Sequence, residues 1–428
     1  MFEHLLEVLL SLPARLGKNV GETFRSLNDR NFRVYNGGMF ISNIGTWTQG
    51  VALSWLVYRL TGSAAALGVF TFANNLPLLL LTFVGGITAD RYDKRKILLF
   101  TNTLAMLQAT VLAILVFTGT ATMPLIIGLA VMAGCITAFE VPTRQSLVPL
   151  LIKDPKYIAN AIGLSSATFH ISRMIGPALG GLLIAGAGEQ FCFALNALSF
   201  VAALIGLWMV KLPPHVKPTK SKDSVQAAQD KAEARAKFIA VLKRPGVFTL
   251  LLLAAFVSTF GLQYSVLMPV IADKLLHGQS VAYGFLSAAG GLGALMGALT
   301  VAFMGSRAGL RQRIGLAAVT LAGSLALLAV SQYLALSVLS ILITGTCLSI
   351  HWSGGNSLMQ QCVEPAQRGK LMGIYTTFTL GLAPFTALIG GWTAEHFGIS
   401  AALLLSGSGM FIGALLYLYK VRGMADTC

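Results

Sequence analysis

Residues 85–99 read GGITADRYDKRKILL, and this stretch sets how the rest of the chain is read. It lies between apolar runs at about 66–88 and 97–118 and holds Arg91, Lys94, Arg95 and Lys96. Each flanking run is close to the ~20 mainly apolar residues that cross a hydrocarbon slab. The stretch is therefore the turn of a membrane hairpin. Its positive charge belongs on the cytoplasmic side.

Working outward, the pattern repeats along the whole chain. Hydrophobic residues make up 55% of the 428 and charged residues 11%, with a mean hydropathy of +0.73. A soluble domain is roughly 25% charged, so water could not cover this surface. Apolar runs fall at about 34–58, 66–88, 97–118, 122–141, 158–185, 190–210, 246–272, 280–304, 314–332, 335–358, 369–393 and 397–419. No short alternating segments of the barrel type occur, so the spans are helices. Of the 31 Lys and Arg residues, 28 lie in the termini and in every second loop, 2 (Arg59 and Lys274) in the alternate loops, and Arg173 inside a run. That split predicts an even number of spans in the inner (plasma) membrane with both termini cytoplasmic. The net charge of +15 then faces anionic lipid headgroups rather than nucleic acid.

The expected fold class is all-α integral membrane, with twelve transmembrane helices in two pseudo-symmetric six-helix bundles. The expected parts are a cytoplasmic N-terminal segment 1–33, a first bundle 34–210, a linker 211–245, a second bundle 246–419 and a tail 420–428. The first residues carry Glu3 and Glu7 within an apolar stretch. They read as a surface helix with Phe2, Leu5, Leu6 and Leu9 on one face, not as a signal peptide. The linker holds a helix-forming stretch from Asp223 and Ser224. Three weak matches relate the halves: 144–154 to 355–365, 178–181 to 387–391 and 90–99 to 307–316, at an offset of 209 to 217 residues. Internal repeats of this kind are usual in secondary transporters, whose substrate site lies between the halves.

Individual residues point the same way. Asp90 ends a helix, where a carboxylate is disfavoured. It is expected to serve as a latch to Arg144 or to the N-terminus of a helix near Gly369, while Arg91 and Arg95 serve topology or gating. Gly86 is expected at a close helix contact, with Gly85 and Ala89 as a small-residue pair. Gly176, Pro177, Gly180 and Gly181 make a thin, kinked face on which another helix can rock or pack. Arg173 near mid-membrane costs ~2.5–3.5 kcal/mol. No clear acid accompanies it, so water, amide oxygens or an anionic substrate must. Asn43, Gln49, Asn74, Asn75, Gln263, Tyr264 and Trp352 are the candidate cavity residues beside it. Candidates for a coupling proton are Glu140, Asp90, Asp273, His170 and His351, the last at the repeat position of Glu140. The five cysteines lie in or beside apolar runs or at the last residue, without a C-x-x-C pair. They read as small buried side chains, and neither metal nor cofactor is expected.

The loop Gly86, Asp90, Arg91, Lys94, Arg95, Lys96 resembles the G-x-x-x-D-R-x-x-[RK]-R-[RK] signature of the major facilitator superfamily, with Asp93 where that pattern has Gly. Residues 172–181, SRMIGPALGG, resemble the G-x-x-x-G-P-x-x-G-G element of its antiporter branch, with Ser172 in place of the first Gly. Residues 31–68 and 138–181 are similar to the group of siderophore exporters of the enterobactin type and macrolide-efflux-like permeases. The resemblance implies a twelve-helix rocker-switch exporter, usually proton-coupled. The central Arg of the superfamily's fourth-helix motif is missing from span four, which weakens that coupling.

The resulting expectation is a monomeric secondary active exporter of an amphipathic drug- or siderophore-like molecule. A lysophospholipid flippase on the same fold and a membrane sensor are the alternatives. An enzyme is not expected, because G-x-x-x-x-G-K-[ST], H-E-x-x-H and G-x-S-x-G are all absent.

Overall fold

The computed structural model describes residues 24–212, 241–242, 244–276, 279–304, 309–362 and 368–422. The surface helix expected at Phe2 to Leu9 and the linker helix expected from Asp223 lie outside the described residues. Within them the chain is helical throughout, without strands. The first six long helices are α1 (Arg30–Thr61), α2 (Ala64–Arg91), α3 (Lys94–Phe117), α4 (Met123–Leu147), α5 (Ile158–Gly186) and α6 (Glu189–Met209). The remainder are α7 (Pro245–Leu275), α8 (Gln279–Met304), α9 (Leu310–Val330), α10 (Leu334–Gln361), α11 (Arg368–Leu380 and Ala383–Phe397) and α12 (Ile399–Val421).

Ten of these are long and apolar enough to cross a membrane. The other two, α1 and α5, are 32 and 29 residues long and therefore also reach across. They are less apolar because they carry Asn36, Asn43, Gln49, His170 and Arg173. Polar residues on a spanning helix face the protein interior.

Local chemistry sets the helix ends. Gly62, at φ 63°, takes the left-handed conformation that closes α1. Ser63 follows at once as the cap of α2, its Oγ accepting from the Ala66 N–H at 3.1 Å. Asp93 caps α3 by accepting from the Arg95 and Lys96 N–H groups at 2.8 and 3.2 Å. This explains the departure from the signature loop: a capping carboxylate replaces a turn glycine. Two π turns interrupt α7, at Val257–Gly261 and Ile271–Leu275. The first leaves the Ser258 carbonyl free to accept from Thr386 Oγ1 at 3.1 Å, and the second carries Asp273.

Helices α1 to α6 pack on one another, as do α7 to α12, and the two groups meet along α5 with α8 and α2 with α11. Small residues allow both meetings. A Cβ on Gly181 would lie 2.8 Å from the Gly284 Cα, and one on Gly68 would lie 2.6 Å from the Ala387 carbonyl oxygen. Both contacts sit toward the side opposite the basic loops, here called the far side. The basic-side piece of α11, Arg368–Leu380, packs instead on α10 and α7 of its own group. Among the described residues these cross-group seams thus reach the far side, while the basic-side piece of α11 stays with its own group.

Candidate functional site

Arg173 lies on α5, between α1 of its own group and α8 of the other. Its guanidinium stands over the Trp47 ring, 5.2 Å from the centroid. Trp47 meets Phe169 edge-on at 5.7 Å, and Arg144 stands 5.9 Å from the Phe169 centroid. Two cations and two aromatic rings therefore form one run across α4, α5 and α1. Arg144 has a counter-charge in Glu140 at 3.8 Å and donates to Asn43 Oδ1 at 3.5 Å. Among the described residues Arg173 has neither an ion pair nor a hydrogen bond. Its backbone carbonyl lies against Gly291 of α8, so this position sits where the two groups meet. A ring face returns roughly 0.5–2 kcal/mol to a cation. That is less than the ~2.5–3.5 kcal/mol cost of the mid-membrane position, so a deficit is left for water or an anion to meet.

Other expected cavity residues divide into two classes. Tyr264 is almost wholly buried, Asn74 and Trp352 are half-buried, and Trp352 Nε1 has no hydrogen-bond partner. Two amides expected in the cavity are instead tied inside their own groups. Gln49 Nε2 donates to Gln108 Oε1 at 3.1 Å, and its Oε1 accepts from Asn196 Nδ2 at 2.9 Å, joining α1, α3 and α6. Gln263 Oε1 accepts from Ser406 Oγ at 2.6 Å, joining α7 to α12. The two occupy equivalent repeat positions and make equivalent pins, because a buried amide is held by whichever partner saturates it. Asn75 is likewise spent on its own helix, donating to the Thr71 carbonyl at 2.9 Å.

At the basic side Asp90 is exposed and Arg144 is paired elsewhere, so neither expected latch contact is made in this arrangement. Arg91 is the last residue of α2. Arg95 serves the fold: its guanidinium donates to the Leu207 carbonyl at 2.8 Å and to that of Trp208, neutralising the C-terminal end of α6. Gly86 is not a close contact, since a Cβ there would meet nothing within 4 Å; its neighbour Gly85 abuts the Ala138 carbonyl of α4. Helical geometry turns adjacent residues about 100° apart, so only one of two consecutive glycines can face the partner. Gly176 abuts Trp47 and Ile44, Gly180 abuts Thr48, and Gly181 abuts α8, with the Pro177 carbonyl 2.9 Å from where a Gly284 Cβ would stand. His170 Nδ1 and both ring nitrogens of the deeply buried His351 lack hydrogen-bond partners.

The far side holds contacts that sequence reading missed. Tyr58 Oη donates to Asp273 Oδ2 at 2.7 Å, tying α1 to α7. Glu395 Oε2 of α11 accepts from the Ala64 N–H at 2.7 Å, from Ser63 Oγ at 3.1 Å and from the Ala65 N–H at 3.4 Å. It thus caps the N-terminus of α2 from the other group. Glu189 pairs with Arg59 at 2.7 Å within the first group. Every acid of the far side is engaged. The available signal was their scarcity: only these three acids fall in the alternate loops and their margins.

An apolar groove of about 860 Å³ lies between α2, α11 and α12, lined by residues such as Val69, Ile389, Trp392 and Phe397. Their rings and chains are exposed on the outside of the bundle, where lipid covers them. Groove size therefore does not mark the chemistry. A smaller polar recess lies at the basic end of α10, formed by Ser353, Asn356, Ser357, Gln360 and Gln361.

Comparison with known proteins places this arrangement. Residues 22–427 match the family model described as transmembrane secretion effector. The staphyloferrin A transporter of Staphylococcus aureus is 26% identical over 86% of this chain and 90% of its own length. The multidrug efflux pump Tap of Mycolicibacterium fortuitum is 23% identical over 83% and 87%, and macrolide efflux protein A of Streptococcus pyogenes 22% over 87% and 91%. Among solved structures, the nucleoside transporter NupG superposes with a TM-score of 0.71 at 14% identity, covering 92% of this chain and 99% of that one. A bacterial homolog of the human lysosomal transporter Spinster, in an inward-facing conformation, gives 0.66 at 16% identity over 92% and 96%. The helical order, the glycine-lined seams and the match over nearly the whole length agree: the chain belongs to the transmembrane secretion effector family, small-molecule transporters of the major facilitator superfamily.

Proposed function

We propose that this protein is a secondary active exporter of amphipathic, electronegative small molecules, working by alternating access in the plasma membrane with proton antiport. Both termini and the basic loops face the cytoplasm in this reading, so the basic side is the inward side and the far side, where the groups meet, is extracellular. The observation that carries it is Arg173: a cation where the two groups meet, resting on Trp47, with no carboxylate paired to it among the described residues. An anionic or strongly polar head would settle on Arg173, and an aromatic or apolar body would lie against Trp47, Phe169 and Tyr264. The relatives' names, a siderophore transporter and efflux pumps, support the direction and the class of substrate.

Glu140 beside Arg144 is the acid best placed to exchange a proton with the inward side, since it is half-buried and its partner lies on the same aromatic run. Asp90 and the glycines of α5 would re-form a basic-side closure in the opposite state. The test is extrusion of dyes, a macrolide, a catechol siderophore and a lysolipid from cells with and without the protein. Anionic substrates should be extruded by wild type, abolished by protonophore and reduced by Arg173→Ala. Wild-type rates for correctly inserted Arg173→Ala would overturn the role of Arg173, and protonophore-insensitive transport would overturn the antiport. The apolar groove at α2, α11 and α12 favours a second reading, a lysolipid substrate entering from the bilayer, which the lysolipid arm reads directly.

A further inference from the structure

The far side is closed in two different ways. Along α5 and α8 the contact is glycine on glycine, Gly181 against Gly284, with no charged group in it. Along α2 with α11 and α1 with α7 the contacts are ionisable. Both carboxylates, Glu395 and Asp273, come from the second group, and all four donors (Tyr58, Ser63, Ala64 and Ala65) come from the first. Glu395 accepts three hydrogen bonds, two of them from N–H groups that begin α2 and would otherwise have no partner. Such an arrangement favours the ionised carboxylate both through hydrogen bonding and through the helix dipole.

Neither contact survives the separation of the two groups at this face. The carboxylate is bound more tightly in the closed state than in the open one. By linkage, a proton on it must then favour the open state. We propose that Glu395 and Asp273 are proton-binding sites of the transporter's extracellular gate: protonated from outside, they release α2 and α1 and let the far side open. The surrounding charges fit this role. Lys274, next to Asp273, lies near Glu395 within the second group, and Tyr58 of the first group lies near both carboxylates. His396 beside Glu395 stacks on Trp392 at 4.6 Å, its Nδ1 at 2.9 Å from the Trp392 carbonyl. Arg59 is held by Glu189 and supplies no competing partner. The sign matches antiport: an acidic exterior populates the state that can load a proton. The direction rests on the exporter reading, whereas the gate itself does not.

Distance measurement between spin labels at Thr120 and Tyr333, in the turns α3–α4 and α9–α10, reads the far side without any substrate. The full chain is used in lipid nanodiscs, with its five cysteines replaced. Wild type should show one short distance at about pH 8 and gain a longer population at about pH 5.5, the open-to-closed ratio rising about tenfold. Glu395→Gln with Asp273→Asn should show the longer population at both values and lose the response to pH. Glu395→Asp should restore the closed state, and Glu189→Asp, which keeps the pair with Arg59 within one group, should behave as wild type. Glu395→Gln alone, a change at an exposed side chain, serves if the double variant does not fold. A wild-type distribution in the Gln variant, or an unchanged response to pH in the double variant, overturns the proposal. Failure of the extrusion assay with an intact pH response would sink the substrate reading and leave the gate standing.

Discussion

Placing a methyl group at Gly181 tests the geometry of the rocking seam. An ideal Cβ there would lie 2.8 Å from the Gly284 Cα and 2.8 Å from the Ser280 carbonyl oxygen, both backbone positions. Ordinary contact begins at 3.4 Å, so α5 and α8 must part by several tenths of an ångström over the whole crossing. Overpacking of this kind costs about 1–3 kcal/mol. That cost falls on the far-closed state alone, because the two glycines separate when the far side opens. The open-to-closed ratio should therefore rise about 5- to 150-fold for Gly181→Ala. The readout is the spin-label distance at Thr120 and Tyr333, with Gly186→Ala as the control, since a Cβ at Gly186 meets nothing within 4 Å. A Gly181→Ala protein with the wild-type distance distribution would refute the claim that this seam carries the closed state.

Other sites give independent expectations. Gln49→Leu strands Gln108 and Asn196, and should cost about 1–3 kcal/mol of stability, seen as a lower thermal midpoint in detergent. The double replacement of Gln49 and Gln108 by Leu should recover part of it. Asp93→Ala removes the cap of α3 and should cost about 1 kcal/mol, while Asp93→Asn should lose little. Gly85→Ala should lower yield or melting temperature by clashing with the Ala138 carbonyl, and Gly86→Ala should not. Arg173→Lys should keep transport of anions at a reduced rate, because the charge remains but the flat guanidinium over Trp47 is lost.

The helices, their number and the basic and opposite faces were legible in the sequence. Spanning length, hydropathy and loop charge act locally along the chain and need no partner to be read. The turn at Asp90, Arg91, Lys94, Arg95 and Lys96 was recognisable for the same reason. Arg173 stood out too, because a lone cation in an apolar run has no local justification. What the sequence could not assign was the partner of each polar group. Gln49 and Gln263 look like cavity amides until Asn196 and Ser406, more than 140 residues away, are seen to saturate them. Gly85 and Gly86 differ only in which faces α4. Glu395 drew no reading from the sequence, and only the pairing of α11 with α2 makes it a cap on the other group. Hydropathy and charge determine which segments enter the membrane and which way they point. Helix packing alone decides which of the buried polar groups meet, because their partners lie on helices far apart in the sequence.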